Sequence, residues 1–352
     1  MSTKTNPGNF FEDFYVGMNI PHATPRTATD GDVSLYTALY GNRFAVQSSS
    51  AFAQSIGLPR APLDDMLLFH LVFGKTVPDI SLNAIANLGY ASGRFHAFAY
   101  PGDTVRTVSE VIGVKENSDG KTGTVYVRSV GTNQRSETVL EYCRWVMVRK
   151  KDFSSPAPEP VVPELPKSVA VEDLIVPEGL DFSNYDTDLA GSPFFWEDYE
   201  TGEKIDHVDA MTVEEADHMI ATRLYQNTAK VHFNQHTEKD GRFGKRIVYG
   251  GHVISLARSF AFNGLANAFK IAAINGGRHV APIFAGDTVY SWSEVLSKDE
   301  LPGRTDMGAL RLRLVAAKDQ DCFAFPYKNA EGKYNPAVVL DFDYTVLIPR
   351  KP

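Results

Sequence analysis

Gly102-Asp103-Thr104-Val105-Arg106-Thr107-Val108-Ser109-Glu110-Val111 returns in the same chain as Gly286-Asp287-Thr288-Val289-Tyr290-Ser291-Trp292-Ser293-Glu294-Val295, an offset of 184 positions. Upstream, Phe11-Glu12-Asp13-Phe14 with Gly17 and Ile20 recurs as Trp196-Glu197-Asp198-Tyr199 with Gly202 and Ile205, an offset of 185. Between these, Leu39-Tyr40 with Asn42, Val46 and Gln47 matches Leu224-Tyr225 with Asn227, Val231 and His232, again at 185. Leu140-Glu141-Tyr142 running to Arg149-Lys150 matches Leu340-Asp341-Phe342 running to Arg350-Lys351. Unrelated segments do not keep order and spacing together, so these matches mark an internal duplication.

Five prolines (Pro156, Pro158, Pro160, Pro163 and Pro166) stiffen the middle of the chain into extended structure without a core of its own. This divides the chain into a first repeat at residues 1–152, a proline-rich linker and connector at 153–190, and a second repeat at 191–352. Each repeat predicts a short strand or turn, then a small helix over about residues 30–41 or 213–226 with acidic residues near its start. A second helix follows, at 64–73 and 250–260, apolar almost all round, which implies burial on most sides. Stretches 104–114, 122–130 and 138–148, and their counterparts 287–296, 309–316 and 337–347, are rich in Val, Thr and aromatics and predict strands. A buried helix wrapped by an antiparallel sheet covers every apolar face, so the expected class is α+β, one such unit per repeat.

A length of 352 residues suits two domains. The net charge of −8 argues against a general nucleic-acid binder, which needs a broad basic surface. No run nears the roughly 18 apolar residues of a membrane span, and the opening Met1-Ser2-Thr3-Lys4 lacks the apolar core of a signal peptide. Cys143 and Cys322 lie in different halves and suggest no disulfide framework, so a reducing cytoplasm is the expected setting.

Tyr225-Gln226-Asn227-Thr228-Ala229-Lys230-Val231-His232 and Ala281-Pro282-Ile283-Phe284-Ala285-Gly286-Asp287-Thr288 resemble motifs of the MaoC-like acyl-CoA hydratases. The likeness covers nearly the whole chain apart from the linker and points to the tandem members of that family. It implies two hotdog domains, each an antiparallel sheet wrapped around a central helix. Within the family, the length and the wording around His232 are most similar to the 2-methylfumaryl-CoA (mesaconyl-C1-CoA) hydratases, also called β-methylmalyl-CoA dehydratases. The implied activity is reversible hydration of a short branched enoyl-CoA, with no cofactor because CoA is part of the substrate.

Adding water to a double bond conjugated with a thioester needs a base for water, a proton for the α-carbon, and stabilisation of enolate charge. His232 suits proton transfer because imidazole titrates near neutral pH. Asn227 stands where the family carries Asp; a carboxamide cannot titrate and can only orient groups by hydrogen bonds. The expectation is that Asn227 positions water or substrate while His232 handles both transfers, with Glu238 or Asp240 as the competing source of a carboxylate. Gly250 and Gly251 open the buried helix, where unpaired N–H groups favour an oxyanion and glycine permits close approach. The first repeat has Gln47 in place of His232 and Asp64-Asp65 near the place of the glycines. It is therefore expected to be degenerate, a packing partner for one active site per chain.

Lys239, Arg242, Lys245 and Arg246 cluster before the helix and are candidates for the CoA phosphates. Arg278 is a candidate for a second substrate carboxylate, although Arg94 in the equivalent place of the first repeat favours a structural role. His232 and His236 are spaced four apart, yet no third ligand is evident, so no metal is expected. No nucleotide-binding glycine motif is present. The alternatives are a hotdog acyl-CoA thioesterase and a non-catalytic acyl-CoA-binding protein. Sheet edges open to pairing suggest a homodimer.

Overall fold

The computed structural model describes residues 4–352. Strands β1 (Asn19–Thr27), β2 (Ala84–Phe95), β3 (Thr104–Glu116), β4 (Thr122–Thr132) and β5 (Thr138–Arg149) belong to the first repeat. Strands β6 (Lys204–Thr212), β7 (Lys270–His279), β8 (Thr288–Glu300), β9 (Met307–Lys318) and β10 (Val338–Pro349) belong to the second. They form one ten-stranded sheet in the order β1-β3-β4-β5-β2-β7-β10-β9-β8-β6. The two halves of that order are the same five-strand pattern, joined back to back where β2 pairs with β7, Tyr90 opposite Gly277 and Arg94 opposite Ala273. β3 alternates buried and exposed along much of its length, the period of a strand with one face on a core.

Each half-sheet wraps a central helix, Asp65–Thr76 in the first repeat and Gly250–Phe260 in the second. Every residue of the first helix is buried, as its apolar circumference predicts. One cluster unites both helices, from Met66–Phe73 across to Val253, Ile254, Leu256 and Phe260. The repeats therefore share a core, and neither buries its apolar faces alone.

The connector adds a core that its proline content does not announce. Leu174, Leu180 and Phe182 are buried with Phe52, Ile56 and Phe269 in a second cluster, and Val161 bridges to Val114 of β3. A stiff extended chain can lie along a sheet and still bury the few apolar residues it carries. Among the described residues no helix is long and apolar enough to cross a membrane.

Candidate active site

A cavity of 410 Å³ lies where the start of the second central helix meets the first repeat. Phe73, Val77, Tyr90 and Arg144 line it from the first repeat, and Asn227, His232, Tyr249, Gly250 and His279 from the second. The first repeat is thus part of the wall and not only a packing partner, because the β2–β7 joint brings its residues onto the same cavity.

His232 ends a single helical turn, Lys230–His232, that follows the helix Glu215–Leu224. Ile247 fixes it from two sides: its N–H donates to Val231 O at 3.1 Å, and its carbonyl lies 3.0 Å from His232 Nδ1. A carbonyl only accepts, so Nδ1 carries the proton and Nε2 is the basic nitrogen of the neutral ring. Burial holds the imidazole down to about 4, the Ile247 carbonyl opposes that shift, and His218 adds to it. The ring packs edge-on to Tyr249 with centroids 5.5 Å apart.

Asn227 is buried on the cavity wall, and its Oδ1 accepts from Ala229 N at 2.9 Å. That bond fixes the orientation of the carboxamide, whose N–H donors are available to the site. The first repeat holds this turn in place. Gly74 in the first central helix lies so close that a Cβ there would sit 1.8 Å from Tyr225 O, and Lys75 Nζ donates to Gln226 Oε1. Glycine is required at 74 by contact with the backbone that carries Asn227.

Tyr249, the residue before Gly250–Phe260, gives no side-chain cap to the first N–H groups of that helix. In the first repeat Asp64 stands in its place and accepts from Met66 N at 2.8 Å and Leu67 N at 3.3 Å. One helix start is closed by its own carboxylate and the other is left with unpaired donors. The two glycines divide their tasks, since successive helical positions turn by about 100°. Gly250 lines the cavity, and a Cβ there would meet the His279 ring at 2.4 Å. Gly251 lies off the wall, where a Cβ would meet the His70 ring at 2.4 Å.

The basic cluster separates in space. Arg242 lines the cavity, with its guanidinium 5.1 Å from the Phe243 ring centre. Lys245 Nζ lies 4.2 Å from the Phe284 ring centre, and Lys239 is exposed. Arg246 pairs with Glu215 and ties the loop to the helix Glu215–Leu224. Arg278 is exposed on β7 opposite Asp341 and lines an adjoining outer cleft of 820 Å³. Its first-repeat counterpart, Arg94, sits opposite Glu141 and pairs with it at 2.5 Å. Glu238 and Asp240 do not line the reaction cavity, and among the described residues no group of three His, Cys, Asp or Glu side chains could hold a metal.

Three wall residues escaped the sequence reading. His279 Nε2 lies 3.2 Å from Tyr90 OH across the joint, and burial, reinforced by His232, holds its imidazole down to about 4. Pairing places His279 opposite Leu340 as Phe95 is opposite Leu140, so a histidine replaces phenylalanine between repeats, a signal that aligning them exposes. Arg144 and Tyr90 lie in the repeat read as degenerate, which hid them.

Two hotdog repeats, a histidine and a carboxamide beside an uncapped helix start, and a cavity closed by the sister repeat define a double-hotdog protein of the MaoC-like dehydratase class. A mesaconyl-CoA hydratase family profile matches residues 2–328, and the chain belongs to that family. It is 70% identical over 351 residues to a β-methylmalyl-CoA dehydratase of Chloroflexus aurantiacus, covering all of both chains. It is 60% identical to a mesaconyl-CoA hydratase of Cereibacter sphaeroides, covering 99% of this chain and 100% of the other. The fold superposes with a TM-score of 0.98 on a crystal structure of a putative MaoC domain dehydratase from Chloroflexus aurantiacus, 69% identical over the whole of both chains. A Mycobacterium tuberculosis protein described as a double hotdog fold superposes at 0.74 over 97% of this chain.

Proposed function

We propose that this protein reversibly adds water to mesaconyl-C1-CoA (2-methylfumaryl-CoA) to form β-methylmalyl-CoA, with His232 as proton carrier. The observation that carries the reading is the tautomer of His232. Its Nδ1 proton is committed to Ile247 O, so Nε2 is the basic nitrogen in a cavity shared with the Asn227 amide and the helix start at Gly250. Asn227 N–H holds the water oxygen while Nε2 takes a water proton, and the hydroxide adds to the β-carbon. Charge moves to the thioester oxygen, which accepts from the unpaired N–H groups at Gly250. The resulting imidazolium, made acidic by burial, returns the proton to the α-carbon. Water adds and leaves whole, so no redox or group-carrying cofactor enters. Arg242, on the wall, is the proposed phosphate contact, with Lys239 and Lys245 beyond it.

Absorbance of the enoyl-thioester band with mesaconyl-C1-CoA and crotonyl-CoA, beside a thiol-release assay, tests the reading. Loss of the band without free thiol, faster with mesaconyl-C1-CoA, is expected. Released thiol moves the protein to the thioesterases, and silence in both assays supports an acyl-CoA-binding role. A homodimer is proposed; the edge strands β1 and β6 each carry a register break, which disturbs strand addition there. Light scattering decides the oligomer. Cys143 and Cys322 are both buried free thiols, which suits the proposed cytoplasmic setting.

A further inference from the structure

We infer that Arg144, a residue of the repeat that lacks the histidine, receives the free carboxylate of the acyl group. The inference rests on the proposed reaction, in which the acyl group is a dicarboxylate with one carboxyl in the thioester. The other carboxylate is bonded to the carbon that water attacks, so it enters the same cavity as the reacting atoms.

Arg144 lines that cavity from β5 and is 1% exposed. Its guanidinium lies over the Phe73 ring, 4.3 Å from the centroid. Nη2 donates to Thr76 Oγ1 at 2.8 Å and to Ser81 Oγ at 3.4 Å, while Nε and Nη1 are buried with no hydrogen-bond partner. No carboxylate pairs with it among the described residues, and Asp79, near Ser81, is held by His22 at 2.8 Å. A buried guanidinium without an anion is costly, and Nε–H and Nη1–H, on different edges of the group, are each free to donate to a carboxylate oxygen.

The other half shows what a self-contained arrangement looks like. Arg258 is also buried, stacked over Phe44 at 3.7 Å, and its Nη1 is likewise unpartnered. Its charge, however, acts on the Asp64 carboxylate at the first helix start, and Arg258 does not line the reaction cavity. At the first helix start the carboxyl beside the arginine thus comes from the protein itself. The second helix start has Tyr249 in the place of Asp64, and Arg144 on that cavity is left to a ligand. Arg278 is exposed outside the cavity, so the carboxylate role passes from it to Arg144.

Succinyl-CoA, used fresh, and butyryl-CoA are saturated thioesters of equal chain length with no double bond to hydrate, and they differ by carboxylate against methyl. As competitive inhibitors of the wild-type protein they should differ by at least about tenfold in favour of succinyl-CoA. Direct binding by calorimetry gives the same comparison without turnover, and equal affinities overturn the inference. Arg144→Met and Arg144→Lys are then compared on mesaconyl-C1-CoA and tiglyl-CoA, in which a methyl replaces the carboxylate. The ratio of kcat/KM between these substrates should fall by about 100-fold in Arg144→Met and by less in Arg144→Lys. An unchanged ratio in folded Arg144→Met also overturns it, and if the variants do not fold the wild-type comparison decides alone. Discrimination by a protein that hydrates nothing would refute the proposed reaction but not the carboxylate site; hydration without discrimination would refute the site alone.

Discussion

The hydroxyls of Tyr40 and Tyr225 meet at 2.8 Å, and the two residues stand 185 positions apart. They are the same residue of the two repeats, so their contact marks the axis that relates the halves. At the same spacing His70 Nε2 lies 3.0 Å from Ser255 Oγ. Equivalent places on this axis have diverged, and a polar chain through the shared core has replaced strict symmetry. Tyr40 extends that chain to His252 Nδ1 at 2.9 Å.

Tyr40→Phe removes a hydroxyl shared by Tyr225 and His252, both buried. Stability should fall by about 1–3 kcal/mol, the cost of leaving buried polar atoms unmatched. Equilibrium urea unfolding measures it, and an unchanged midpoint would show that the chain contributes nothing net.

His232→Gln installs the residue that the first repeat carries at position 47. Hydration should slow by about 10²–10⁴-fold with little change in melting temperature. In the wild type, burial holds His232 at about 4, so its basic form persists well below neutrality. The kcat/KM profile should stay level from neutral pH down to about 5 and decline only below it. An acid limb centred near the ordinary histidine value would contradict the buried, neutral imidazole.

Acid should destabilise the fold beyond what carboxylates explain. Burial holds His70 and His252 at about 3, and His207, His232 and His279 at about 4. Their folded values lie below the unfolded one, so the unfolded chain binds more protons once pH drops under about 6.5, and stability falls from there. Melting temperatures measured between neutral pH and about 5 should decline steadily. A flat series would show that these rings are already charged or exposed.

Gly250→Ala and Gly251→Ala should separate rate from stability. A methyl at 250 presses on the His279 ring in the cavity and should lower kcat/KM by more than it lowers the melting temperature. A methyl at 251 presses on His70 and Tyr249 within the core and should cost about 1–3 kcal/mol of stability. Reversed effects would mean that Gly250 has no part in substrate binding.

Much of the architecture was legible because it is written in local pattern. The central helices follow from their all-round apolar character and six of the ten strands from their Val, Thr and aromatic content, and their boundaries moved by only a few residues. β2 and β7 were not anticipated. β7 is buried on both faces over most of its length and so lacks alternation, while Gly89 and Gly93 interrupt β2. Those glycines serve contacts, since a Cβ at 93 would sit 2.7 Å from Ile274 Cβ and one at 89 would strike the Trp145 ring at 2.3 Å.

From the sequence came the duplication, read from the spacing of its repeats, and, through the resemblance to the MaoC-like hydratases, the hotdog class and the choice of the second repeat as the one with His232, Asn227 and Gly250. Each is carried by residues that stand close together along the chain. Tertiary structure alone decided that Arg144, Tyr90 and His279 share their cavity, that Arg246 is spent on Glu215, and that Arg278 stands outside. The physical reason is the antiparallel joint between β2 and β7, which brings together residues nearly two hundred positions apart and has no local signature in either strand.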